Sequence, residues 1–262
     1  MSTNGRMLRI IDELILTEPL GWIGHSLMET ANLVMPASCA VCSRADARLC
    51  TRCCHALHEQ LSLPPLPEGQ QRYLELPWQQ RQIPVAASGI YANELARAIL
   101  AYKDHQRYFL RHLLAPYLAA SLNMMLVPQP SDCRTLLVPM PSSLKASGKR
   151  GYLPVQSLLR TAQNNGMLAA GYRVTPLLHY SPGQLLSGAQ KSKSGSDRRG
   201  RKIRFIAEPP PRPGQPIVLV DDVMTTGSTL RNAAVSCDLA GFEVLGAVVL
   251  ALTKGPSESH AF

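Results

Sequence analysis

The chain has 262 residues, 45% of them hydrophobic and 17% charged, which describes a globular, soluble protein of one ordinary domain plus an appendage rather than a disordered one. Its formal charge of +9, from 27 Lys and Arg against 18 Asp and Glu, makes a phosphorylated small molecule or a nucleic acid the natural kind of partner. Asp12 and Glu13 interrupt the first apolar run with no small-residue cleavage site after them, which argues against a secretory signal. The best membrane candidate, residues 113–127, is short and broken by Pro116, Ser121 and Asn123. The expected location is cytoplasmic, where cysteines stay reduced and more often bind metal than pair with each other.

Taken in chain order, residues 6–16 place Ile10, Ile11, Leu14 and Ile15 on one face of a short amphipathic helix, within an N-terminal helical segment spanning 1–35. A cysteine-rich block follows at 36–62. Residues 63–84 are rich in Pro and Gln with little periodicity and read as a linker. From residue 85 to 262 the texture is that of one larger domain. A strand is expected at 85–91, helices at 94–102 and 108–126, and a buried strand at 134–141. Another helix is expected at 155–163, strand-like residues at 173–180, and a long polar loop at 181–201. A buried strand over 217–221, a helix over 228–240 and a last buried strand over 243–252 complete the pattern. Strands alternating with helices imply an α/β fold with a mostly parallel central sheet flanked by helices. Within the loop, residues 191–204 hold seven basic residues and one acid, which reads either as a polyanion contact or as a solvated surface run.

The spacing Cys39-x2-Cys42-x7-Cys50-x2-Cys53 brings two CxxC knuckles close together. Two thiolates from each knuckle suit a closed, tetrahedral structural Zn²⁺ site, which would staple a module too short to form its own core. The competing reading is a set of incidental buried thiols. Cys133 and Cys237 stand apart and read as core residues.

The stretch "IVLVDDVMTTGSTL" at 217–230 sets two carboxylates, Asp221 and Asp222, where a buried strand is expected to end. The open end of a parallel sheet is the usual ligand crevice of such folds. Thr225, Thr226, Ser228 and Thr229 offer hydroxyls at a helix N-terminus, and Gly227 lets the backbone come close, a natural cradle for a phosphate. Carboxylates just before the cradle can accept hydrogen bonds from vicinal hydroxyls. The combination fits a sugar phosphate, whereas no GxxxxGK[ST] or GxGxxG occurs here to support a P-loop or a dinucleotide site.

"VLVDDVMTTGST" closely resembles the phosphoribosyl pyrophosphate (PRPP) signature of type I phosphoribosyltransferases. The resemblance implies that Asp221 and Asp222 hold the ribose hydroxyls and that Thr225, Thr226, Gly227, Ser228 and Thr229 hold the 5′-phosphate. With the four-cysteine knuckle, the layout from about residue 36 onward is similar to the ComF/GntX family, linked to natural competence and use of external DNA. "YKDHQRYFLRHLLAPYLA" resembles that family's Lys-containing segment, "LLVPMPSSLKASGKRGY" its first core strand and pyrophosphate-side loop, and "PGQLLSGAQ…RRGRKIRF" its mobile loop. By that resemblance the fold is of type I phosphoribosyltransferase kind with a small N-terminal zinc-binding module. Lys103 and Arg199 join the acids as catalytic candidates, and Ser142, Ser143, Lys145 and Arg150 line the pyrophosphate side. Mg²⁺ accompanies PRPP, and the acceptor is unspecified. The chain departs from the family pattern at Leu153 and Pro154, where Asn-Gln is usual, and at Gly200, where Asn is usual. A second reading keeps PRPP binding without turnover, as a sensor or adaptor that engages single-stranded DNA or a DNA-uptake protein. The low aromatic content, 5%, offers few rings for base stacking.

Overall fold

A computed structural model describes residues 38–45, 47–61, 72–76, 79–125, 134–142, 152–181 and 205–253. The expected N-terminal helix, the basic run at 191–204 and Cys133, Ser143, Lys145, Arg150, Arg199 and Gly200 lie outside these residues. The elements are helix α1 (Thr51–Gln60), strands β1 (Arg72–Leu76) and β2 (Arg81–Ile90), α2 (Asn93–Asp104), a 3₁₀ turn (Tyr108–Leu110) and α3 (Arg111–Met124). They continue with β3 (Thr135–Pro139), α4 (Pro154–Asn164), β4 (Tyr172–Val174), β5 (Leu178–Tyr180), β6 (Phe205–Ala207), β7 (Gln215–Met224), α5 (Ser228–Ala240) and β8 (Phe242–Leu252).

Six strands form one sheet in the order β1-β2-β8-β7-β3-β4, and β5 and β6 form a separate antiparallel ribbon. Only β1 runs antiparallel to its neighbour; β2, β8, β7, β3 and β4 are mutually parallel. The β-branched runs of β7 and β8 are buried on both faces, as a central parallel strand requires. Alternate residues serve two cores. Val218, Val220, Val248 and Leu250 pack with Leu95, Leu114, Leu118 and Leu158 of α2, α3 and α4. Ile217, Leu219, Val244 and Val249 pack with Leu230, Ala233 and Cys237 of α5 on the opposite face. Ser88 of β2 and Ser121 of α3, both fully buried, satisfy each other at 2.9 Å.

Two sequence expectations change. The stretch read as linker contains β1, an edge strand whose Leu74 and Leu76 point into the core while Tyr73 and Glu75 stay exposed. β7 does not end at Asp221 but runs on to Met224, paired only with β8 over its last residues. The cysteine block is no separate bead either. Cys39, Val41, Cys50, Cys53, Leu57 and Leu61 belong to the same buried cluster as α2 and α3. Gly89 of β2 permits this docking: a Cβ there would meet the Gln60 carbonyl oxygen at 2.5 Å and a Leu95 methyl at 2.7 Å. Among the described residues, no helix is long and apolar enough to cross a membrane.

Candidate functional site

After β3 the chain passes through α4 and moves outward to β4; after β7 it passes through α5 and moves the other way, to β8. The strand order therefore reverses between β3 and β7, and the space beyond their carboxyl ends, the crevice of such a sheet, is its preferred ligand position. The β3–β7 ladder stops at Pro139 and Val220, with Met140 N–H donating to the Val220 carbonyl at 2.8 Å. Asp221 and Asp222 come next, one step beyond the last residue that β3 covers. Their position follows from unequal strand lengths rather than from the end of β7.

Asp222 is 6% exposed and its Oδ2 lies 2.6 Å from Lys103 Nζ, at the last turn of α2. A buried carboxylate needs such a partner, and α2 delivers it. Each acid also turns back on the chain: Asp221 Oδ1 accepts from Asp222 N–H, and Asp222 Oδ1 from Val223 N–H, both at 2.8 Å. Burial, and next the charge of Asp222, push the Asp221 carboxyl up to about 7; the Asp222 N–H and Lys103 oppose this.

Beyond β7, Gly227 takes the left-handed conformation (φ 69°), and a Cβ there would approach Leu74 Cδ1 at 2.8 Å. That turn leads directly into α5, whose first turn carries no acidic residue. The hydroxyl-bearing Thr225, Thr226, Ser228 and Thr229 are exposed around it, with Ser228 N–H 3.4 Å from Thr226 Oγ1 and Thr226 Oγ1 3.2 Å from Ser228 Oγ. Exposed N–H and hydroxyl donors with no nearby carboxylate on the helix favour an anion.

The structure thus brings together Lys103, Asp221, Asp222 and the Thr225–Thr229 turn. Ser142, half-buried, follows β3 on the same side of the crevice. Spacing did not single out the packing behind Lys103. Tyr102 is buried and donates to the Pro154 carbonyl at 2.9 Å, while Tyr152 O–H donates to the Tyr102 carbonyl. The Tyr108 and Tyr152 rings meet edge to face at 4.9 Å, and the Arg111 guanidinium stacks 3.7 Å over Tyr108. Burial raises the Tyr102 phenol well above its usual range, so it stays a neutral donor. The only advance signal was an aromatic residue beside Lys103 in an amphipathic helix. Leu153 and Pro154, the departures from the family pattern, form the start of α4, with Pro154 in its first turn, where a missing N–H costs nothing.

In the cysteine block, one ligand atom from each of Cys39, Cys42, Cys50 and Cys53 lies within 4.8 Å of the others, and Cys42 Sγ is 3.7 Å from Cys50 Sγ. Tetrahedral Zn–S bonds of about 2.3 Å place neighbouring sulfurs about 3.8 Å apart, so the donor set and its spacing suit a metal such as zinc. The first knuckle is a turn closed by Ser43 N–H to the Cys39 carbonyl at 2.8 Å, with Ser43 left-handed (φ 62°). The second is the start of α1, with Cys50 at the N-cap position and Cys53 in the first turn. Burial raises the Cys39 thiol, but backbone N–H groups of Cys50, Cys42 and Val41 outweigh it and bring it to about 6, favouring the ligating thiolate. Among the described residues this is the one group of three or more His, Cys, Asp or Glu placed to hold a metal.

The chain matches no model of a known protein family, and no curated protein matches it significantly.

Proposed function

We propose that the protein binds PRPP in the crevice between β3 and β7 and transfers its phosphoribosyl group to an acceptor, as a ComF/GntX-like member of the type I phosphoribosyltransferase class with a structural zinc knuckle. The observation that carries this reading is the run of groups along the last residues of β7 and beyond: an acid of raised pKa, a cation-paired acid, then an open hydroxyl-rich turn at a helix N-terminus. A ribose 5-phosphate matches that order, with its diol on Asp221 and Asp222 and its phosphate at Thr225–Thr229. Displacement of pyrophosphate at C1 builds positive charge on the ribose, which the two carboxylates face, and negative charge on the leaving group. In this reading Lys103, which is paired with Asp222, is one cation available to offset that charge, Ser142, Ser143, Lys145 and Arg150 form the pyrophosphate side, and Arg199 joins from the stretch that resembles the family's mobile loop. Mg²⁺, a hard cation that favours phosphate oxygens, would accompany the pyrophosphate in this reading and help to offset its charge.

A second reading, a PRPP sensor or adaptor without turnover that serves DNA uptake, draws on Leu153 and Pro154. Both are built into the start of α4, so neither supplies the amide side chains usual at those positions. Incubation with PRPP, Mg²⁺ and a panel of nucleobase and amine acceptors separates the two. Acceptor-dependent release of pyrophosphate supports the transferase. Its absence, together with salt-sensitive binding of single-stranded DNA, supports the adaptor.

A further inference from the structure

The cysteine cluster and the Asp222 crevice share no residue, yet one helix touches both. α1 follows directly on Cys50, its N-cap residue, and carries Cys53 in its first turn; its last residue is Gln60. Gln60 Oε1 accepts from the Leu95 backbone N–H at 2.9 Å, and Gln60 Nε2 donates to the Glu94 carboxylate at 2.7 Å. That amide is the main reason Glu94 is held below the usual carboxylate range. α2 has no capping side chain of its own at Ala92, and the Leu95 N–H in its first turn is served from α1 instead. The contact is tight: Leu61 bridges to Gly89, Leu57 and Leu95 are fully buried, and the Gln60 carbonyl leaves no room for a side chain at Gly89. Eight residues further along α2, about 12 Å at helical rise, stands Lys103 with Asp222. A helix of this length moves as one body, so what holds its first turn sets where its last turn stands.

We propose that Gln60 is a positioning residue through which the metal state of the four-cysteine cluster sets how Lys103 stands against Asp222. A filled cluster fixes the start of α1, α1 presents Gln60, and Gln60 caps and orients α2. Loss of the metal releases the start of α1, and the cap with it. As a statement about ligand affinity, the proposal rests on the PRPP reading; as a statement about α2, it does not.

The test uses the zinc-loaded full chain, the same protein stripped by a chelator, and the zinc-loaded Gln60→Ala variant, with zinc content measured for each. Amide hydrogen exchange is followed over residues 93–104 and, as a control, over 242–252. The stripped protein and Gln60→Ala are expected to exchange about fivefold faster over α2, the equivalent of one lost cap, beyond whatever change the whole chain shows over β8. Unchanged protection of α2 in Gln60→Ala at full zinc content would overturn the proposal, and this arm stands even where stripping unfolds the chain. Calorimetry with PRPP and Mg²⁺ adds a readout that mere destabilisation would not move. Gln60→Ala should bind about fivefold more weakly, and Gln60→Ala/Lys103→Met no more weakly than Lys103→Met alone. Additive losses would contradict action through Lys103. Absence of PRPP binding by the intact protein would defeat the PRPP reading and leave hydrogen exchange to decide the linkage.

Discussion

Asp221 and Asp222 are chain neighbours with different surroundings, and the difference has consequences for stability and binding. Asp222 is buried against Lys103, which is itself about one-third exposed. Removing the cation strands a buried carboxylate, whereas removing the acid leaves a lysine that water can reach. Lys103→Met is therefore expected to cost about 1–2 kcal/mol in urea unfolding, and Asp222→Asn less than about 1 kcal/mol. For Asp221 the sign runs the other way. Its folded-state pKa, about 7, lies above that of an unfolded aspartate, so between about pH 4 and 7 the folded chain binds more protons than the unfolded one. Stability falls as pH rises through that window and levels off above it. Asp221→Asn should flatten the fall and be the more stable protein at pH 8, by roughly 1–2 kcal/mol, since the residue as a whole is partly exposed. Affinity for PRPP should rise through the same window in the wild type, beyond any rise seen in Asp221→Asn, because in the proposed mode of binding the ionised carboxylate accepts from ribose hydroxyls. The two acids and the hydroxyl turn were readable in sequence because their chemistry is local. The partnership of Lys103 with Asp222 was not, since it depends on how α2 crosses the sheet.

Elements follow the same division. β3, β7, β8, α2 and α5 were legible because long apolar or periodic runs leave few alternatives. β1 was missed: "RYLEL" alternates as a half-buried strand should, but its Pro- and Gln-rich surroundings masked five residues of signal. The length of β7 was misjudged because carboxylates are poor strand residues, and only the ladder to β8 carries it past Asp222. Two glycines show where elements meet too closely for a side chain. Gly89→Ala must push Leu95 or the Gln60 carbonyl aside and is expected to cost about 2–3 kcal/mol, read as a lower urea midpoint with an unchanged slope. Gly227→Ala adds left-handed strain to a contact with Leu74 and should cost about 1–2 kcal/mol. The second variant should also weaken ribose 5-phosphate binding, because it reshapes the turn directly; the first, by displacing Gln60 or Leu95, should weaken it only through α2 and Lys103.

For the whole molecule, the cysteine spacing announced a metal knuckle but not its place. Four cysteines at those positions say nothing about Leu57 and Leu61 reaching into the core of α2 and α3. Because the cluster and the domain share that core, chelation should lower the thermal midpoint of the entire chain in one transition, rather than melt a small module and leave the rest unchanged. Differential scanning calorimetry with and without chelator distinguishes these outcomes. The central claim, a ribose phosphate at the reversal of strand order, is most directly met by titrating the zinc-loaded protein with PRPP and Mg²⁺ in a calorimeter, beside the Asp221→Asn/Asp222→Asn variant. Saturable binding by the wild type that the variant loses is the predicted result. Binding that survives in the variant, or none in the wild type, would contradict it.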